Sequence, residues 1–185
     1  MRYFLSLLIL GFSLILPSAH ASESAWPLLQ QGGKIVFIRH AYAPGGGDPS
    51  NFSIDDCSTQ RNLNQQGIDQ SLSMGEDFRK YEIPIQQVYS SQWCRCKDTA
   101  SYAFGNYQEL SALNSTFEGK YRQNHQQQMR ELKELIADWD NSEGNLILVT
   151  HYVIIGGMLG YYPSSGELVI TDKNLEVLDS IKTNY

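Results

Sequence analysis

The 185-residue chain has no block of basic residues, and its charge balance is acidic: 14 Lys and Arg face 20 Asp and Glu, for a formal net charge of −6 at pH 7. Without a cationic stripe to neutralise a run of phosphates, nucleic acid is not expected as a partner. After residue 21 no apolar run approaches the roughly 18 residues of a membrane-spanning helix, so no stable membrane insertion is expected there. Repeats, low-complexity tracts and linkers long enough to divide domains are also lacking. Cysteine is scarce and odd in number. Cys57, Cys94 and Cys96 allow one bridge, from Cys57 to Cys94 or to Cys96, and leave one thiol over. The Cys94-Arg95-Cys96 spacing is too tight for a usual zinc pair, and neither a metal nor another cofactor is expected.

What is present suits one folded unit. Hydrophobic residues make up 42% of the chain and aromatics 11%, enough for a single core, so residues 22–185 are expected to form one domain, monomeric by its balanced surface. Ahead of it, Arg2, the apolar run Phe4 to Leu16 and the small residues of Ala19-His20-Ala21 read as a cleaved signal peptide over residues 1–21. The expected location is therefore periplasmic or secreted.

Short apolar runs alternate with helical periodicity. Strands are predicted at Lys34–Ile38, Gln87–Ser90 and Leu146–Thr150, with a closing hairpin of Glu167–Thr171 and Leu175–Ile181 around Asp172-Lys173-Asn174. Helices are predicted from the cap Asn64 to about Lys80, over Lys97–Phe104, from about Lys120 to Trp139, and over Val153–Leu159 before Gly160. This alternation predicts a three-layer α/β sandwich, a mainly parallel sheet with helices on both faces, whose ligands bind beyond the carboxyl ends of the strands.

Three strands run into chemistry-bearing residues at that edge: the first into Arg39-His40, the second through Ser90-Ser91 toward Arg95, the third into Thr150-His151. Two guanidiniums and two imidazoles converging there would suit an anion, phosphate above all, because arginine's planar fork matches its oxygens. A neutral imidazole can attack phosphorus, and the arginines can stabilise charge on the transferring group, with no metal in the scheme.

These residues also resemble a known pattern. Arg39-His40-Ala41 is similar to the Arg-His-Gly signature of the histidine phosphatase superfamily, the phosphoglycerate mutase-like fold. Leu63-Asn64-Gln65-Gln66-Gly67-Ile68-Asp69-Gln70 resembles its helix start. Ser90 to Ala100, with Arg95 and Thr99, resembles its second-arginine segment, and Leu148-Val149-Thr150-His151 its second-histidine strand. The resemblance implies the same sandwich, His40 as the phosphorylated nucleophile, and Arg39, Arg95 and His151 as the phosphate pocket. Arg61, just ahead of the helix-start motif, is a further basic candidate, while Asn51 and Ser53 could meet substrate.

The chain departs from the pattern at Ala41, where glycine is commonest, and at the general acid. Tyr152 follows the second histidine where one branch has an acid, and Ser115 follows Leu113-Asn114 where the other has Glu. Glu118 is the first candidate for the proton donor, with Glu109 as its alternative and Asp48, Asp55 and Asp56 behind them. The implied activity is metal-independent hydrolysis of a small or surface-linked phosphomonoester by an exported enzyme. The alternative is a phosphate-binding or interaction protein of the same fold that does not turn over. A phosphohistidine protein phosphatase would escape the need for an acid, but its usual partners are cytoplasmic.

Overall fold

The computed structural model describes residues 25–117 and 119–183; the segment read as a signal peptide and Glu118 lie outside them. Six strands form one sheet: β1 (Ile35–Arg39), β2 (Ile85–Ser90), β3 (Gln108–Glu109), β4 (Asn145–Thr150), β5 (Leu168–Thr171) and β6 (Val177–Ile181), in the order β3-β2-β4-β1-β5-β6. The pairs β1·β4, β4·β2 and β2·β3 are parallel, and β5 and β6 close one side antiparallel. The mainly parallel sheet is therefore as expected.

Strand periodicity sorts the core into two halves, because successive side chains leave opposite faces of the sheet. Val36, Ile38, Ile147, Val149, Leu168 and Ile170 meet α1 (Trp26–Gln30), α2 (Gln65–Lys80) and α3 (Cys94–Phe104). Ile35, Phe37, Leu146, Leu148 and Val169 meet α4 (His125–Asp138) and α5 (Tyr152–Leu159) on the other face. Residues on β1, β4 and β5 are buried toward both sides, which is why these strands read as unbroken apolar runs rather than alternating ones.

Local chemistry fixes the ends. Asn64 caps α2 by accepting from the Gly67 amide at 3.1 Å, and Gly160 ends α5 in the left-handed conformation. The hairpin strand begins later than its sequence suggests, because Leu175 lies at φ +67 in a turn held by Asp172, which accepts from the amides of Asn174 and Glu176 at 2.9 Å. The segment predicted as one helix from Lys120 is divided: Gly119–Asn124 is a 3-10 turn and the α-helix starts at His125. Two elements escape periodicity because they are too short for it, α1 and the two-residue edge strand β3. Tertiary contact holds α1: Trp26 stacks on Tyr81 with ring centroids 4.8 Å apart. Cys57 is bonded to Cys94, which settles the open pairing, and Cys96 is the free, buried thiol.

Candidate active site

Register brings the predicted residues together. Arg39 lies opposite Thr150 and Ser90 opposite Val149, so β1, β2 and β4 end along one edge. The ladders continue one residue further, through the His40 amide to the Thr150 carbonyl and the Ser91 amide to the Val149 carbonyl, both at 2.9 Å. His40, Ser91 and His151 are thereby set side by side, and the imidazole centroids of His40 and His151 are 5.4 Å apart.

The turn after β1 is held from three directions. The Ala41 amide donates to Thr99 Oγ1 at 2.9 Å, and Thr99 donates in turn to the Arg95 carbonyl at 2.7 Å. The Tyr42 amide donates to Gln70 Oε1 at 2.8 Å, while the Gln70 side-chain amide reaches the Ser165 carbonyl. A Cβ on Gly67 would collide with the Tyr42 carbonyl oxygen, so a side chain there would push the turn off α2. The glycine and glutamine of one motif and the threonine of another thus support the backbone that follows His40. Ala41 is buried, and the non-glycine residues at positive φ among those described are Glu82 and Leu175. Alanine therefore replaces glycine there without strain.

A cavity of about 160 Å³ opens at this edge, lined by Arg39, His40, Arg61, Arg95 and His151, with Asp48 and the Gly45-Gly46-Gly47 turn at its rim. His40 Nδ1 lies 2.8 Å from the Ala41 carbonyl oxygen. That oxygen can only accept, so Nδ1 carries the hydrogen and Nε2 keeps its lone pair. Burial, and then the charges of Arg95, Arg61 and Arg39, push the His40 pKa well below the ordinary histidine value. At neutral pH the ring is therefore uncharged.

His151 is buried too, and its pKa is lowered by burial and by Arg95. Arg95 Nη2 approaches its Nδ1 at 3.4 Å, and a guanidinium only donates. Nε2–H then donates to Ser91 Oγ at 3.0 Å, which donates to Asn114 Oδ1 at 3.1 Å. Asn114 also accepts from the Gln92 amide. Sequence reasoning missed Ser91 and Asn114 as supports. The signal was the Leu113-Asn114 pair in the family-like segment, which directed attention to the missing acid instead.

The arginines are anchored by neighbours. Arg39 donates to the Pro163 carbonyl at 2.9 Å and lies over the Tyr152 ring. Arg61 donates to the carbonyls of Ala43 and Gly47. Arg95 is ion-paired with Asp48 at 2.7 Å. Burial works to raise the Asp48 carboxyl, but the Arg95 hydrogen bond and charge outweigh it and hold the group below the usual carboxylate range. Asp48 also accepts from Trp93 Nε1 and the Arg61 amide.

The other carboxylate candidates are elsewhere. Glu109 is exposed on β3, 3.5 Å from Lys97 Nζ, and does not line the cavity. Asp56 caps the 3-10 turn at Cys57–Thr59, and Asp55, like Asn51 and Ser53, is exposed in the preceding loop. Glu118 is not among the described residues, although Phe117 beside it lines the cavity. Among the described lining residues Asp48 is therefore the sole carboxylate. Cys96 lies 3.4 Å from His151 Nε2, but burial pushes its thiol up to about 12, so it is not a nucleophile.

The family model for the histidine phosphatase superfamily (branch 1) matches residues 35–147, a stretch that includes Arg39, His40, Arg61 and Arg95 and stops short of His151. Several solved structures share the fold. The protein histidine phosphatase SixA, solved with tungstate, is 12% identical over 82% of this chain and 94% of its own, at TM-score 0.52. The product of open reading frame Rv3214 from Mycobacterium tuberculosis is 14% identical over 82% and 95%, at TM-score 0.56. TTHB049 from Thermus thermophilus is 13% identical over 80% and 98%, at TM-score 0.55. No curated protein is significantly similar. At these identities the structures speak for the fold, and the family model, which spans more than half of the chain, speaks for descent: the chain belongs to the histidine phosphatase superfamily.

Proposed function

We propose that the protein is a phosphomonoester phosphatase that works through a phosphohistidine on His40, without a metal, in the periplasm or outside the cell. The observation that carries this reading is the His40 tautomer: a buried, neutral imidazole with its Nε2 lone pair available, in a cavity lined by Arg39, Arg61 and Arg95. Nε2 attacks phosphorus, the bond to the ester oxygen breaks, and the leaving alkoxide takes a proton. Charge on the equatorial oxygens is met by the three guanidiniums. His151 is held neutral by burial first and by the arginine charges second, and an arriving dianion offsets the second of these and so favours its protonated form. Water then gives a proton to the carboxylate left by the first step and attacks phosphorus, the P–N bond breaks with its electron pair returning to Nε2, and His40 is again neutral.

The proton for the leaving group is assigned to a carboxyl group, with Glu118 as the candidate from the sequence and Asp48 as the candidate from the cavity. Asp48 is ionised against Arg95, and this favours a second reading. In that reading the pocket binds phosphate without turnover, or acts only on substrates whose leaving group needs no acid.

Metal-free protein assayed with p-nitrophenyl phosphate across acidic to neutral pH, with and without chelator, separates the readings. Turnover that survives chelation and disappears in His40→Ala is expected. No turnover in a protein that still binds vanadate would favour the binding reading, and activity retained by His40→Ala would refute the site.

A further inference from the structure

Beside the anion cavity lies a second one, of about 290 Å³, between the loop that follows β1 and the segment that precedes α4. Asp48 and Ser115 line both. Its apolar wall is a set of three rings. Phe52 stacks on Trp93 with centroids 5.1 Å apart, and Tyr121 stands edge-on to Trp93 at 5.0 Å and to Phe52 at 5.8 Å. Trp93 meets the His151 ring at 5.4 Å on its other side and donates its indole N–H to Asp48. An unbroken line of rings therefore leads from His40 through His151 and Trp93 to Phe52 and Tyr121. Trp93 is buried, whereas Phe52 and Tyr121 are half-exposed toward the cavity, and Ser50 and Lys120 stand at its rim.

We propose that this second cavity is the leaving-group subsite and that it takes a flat aromatic ring. The inference rests on the phosphatase reading for its reaction, but not for its binding. The space is ample, since an apolar cavity of about 150 Å³ already admits benzene. Aromatic walls that meet at stacked and perpendicular angles offer a further ring both face and edge contacts, which a small aliphatic group cannot exploit. Asp48 and Ser115 line both cavities, so the two meet at those residues, and a ligand that passes over this shared edge sets its phosphoryl group beside His40 and its ring against Phe52 and Tyr121. Trp93 and Asp48 belong to the partition between the two, so Phe52 and Tyr121 are the residues that discriminate.

The test uses two phosphonates that cannot be hydrolysed, methylphosphonate and phenylphosphonate, both as dianions, titrated calorimetrically into the wild-type protein and into Phe52→Ala and Tyr121→Ala. Wild type is expected to bind the phenyl compound about tenfold more tightly, the worth of one aromatic contact set. Each variant should lose most of that preference while its affinity for methylphosphonate stays unchanged. Equal wild-type affinities, or variants that weaken both ligands alike, would overturn the subsite. Where an alanine variant does not fold, the leucine variant at the same position keeps the volume and removes the ring. A phenyl preference in a protein that turns over no aryl phosphate would retain the subsite and refute the phosphatase reading instead.

Discussion

The Cys57–Cys94 bridge ties the loop after β1 to the first residue of α3, one position before Arg95. It closes a segment with a sequence separation of 37. In the chain-entropy treatment a loop of that length removes about 4 kcal/mol of freedom from the unfolded chain, and measured bridges usually contribute about 2–4 kcal/mol. For a domain of this size each kcal/mol corresponds to about 2–4 °C in Tm. The Cys57→Ser/Cys94→Ser variant is therefore expected to melt about 5–15 °C below the oxidised wild type. Wild type in strong reductant should converge on the variant. The fold of the site should survive, because the Cys94 amide is held independently by Gln60 Oε1 at 3.0 Å. The assay is thermal unfolding by circular dichroism at fixed protein concentration, with p-nitrophenyl phosphate turnover measured on the same samples below the transition. A variant that melts within about 2 °C of wild type would refute the entropic argument. So would a reduced wild type that stays as stable as the oxidised one.

Two further expectations concern stability. His40 and His151 both have folded-state pKa values well below the ordinary one. Above about pH 6.5 they are neutral folded or unfolded and contribute nothing to the pH dependence. Below it the unfolded chain takes up their protons first, so stability should fall by as much as about 1.4 kcal/mol per pH unit for each histidine. Urea melts at stepped pH from neutral to 5 would show this. An unchanged midpoint, or the same decline in a His40→Asn/His151→Asn variant, would sink it. The Asp48 contribution, present above its ordinary carboxylate range, is lost only at lower pH, as its depressed pKa is crossed. The second expectation is steric. A Cβ on Gly75 would collide with the Ala103 carbonyl oxygen across the α2–α3 contact, so Gly75→Ala should cost about 1–3 kcal/mol despite the better helix propensity of alanine. Chemical denaturation that shows the variant as stable as wild type would mean that the helices can separate without loss.

Much of the fold was legible because its central elements are regular. Buried parallel strands gave unbroken runs such as Leu146–Thr150, and the Asn64 cap and Gly160 stop marked helix ends by their own chemistry. What could not be read depends on contacts distant in sequence. Trp26–Gln30 is helical because Trp26 finds Tyr81 and Phe78, and β3 exists because β2 offers an edge. The site shows the same division. Arg39, His40, Arg95 and His151 could be placed together because Arg39 ends β1 and the others follow the ends of β1, β2 and β4, which run parallel to one sheet edge. Arg61, which sequence alone allows in the pocket or on the surface, lines the cavity. The role of Asp48 was not readable: the loop that carries it has no periodicity, and its position follows from Arg95, Trp93 and Arg61 converging on it.

The turn that bears His40 has no private stability. Its three successive amides are spoken for by β4, α3 and α2 in that order, through Thr150, Thr99 and Gln70. A partial opening that frees this turn must detach it from all three elements at once, and that is nearly the unfolding of the domain. His40 is therefore tied to three elements of the core through its turn, whereas Phe52 and Tyr121 stand in segments outside the sheet, held by their ring contacts with Trp93 and, for the loop, by the Cys57–Cys94 bridge and the Asp48–Arg95 pair. Substitutions at Phe52 or Tyr121 leave those three amide contacts in place, whereas any change in how the His40 turn is held would disturb the sheet edge that makes the fold.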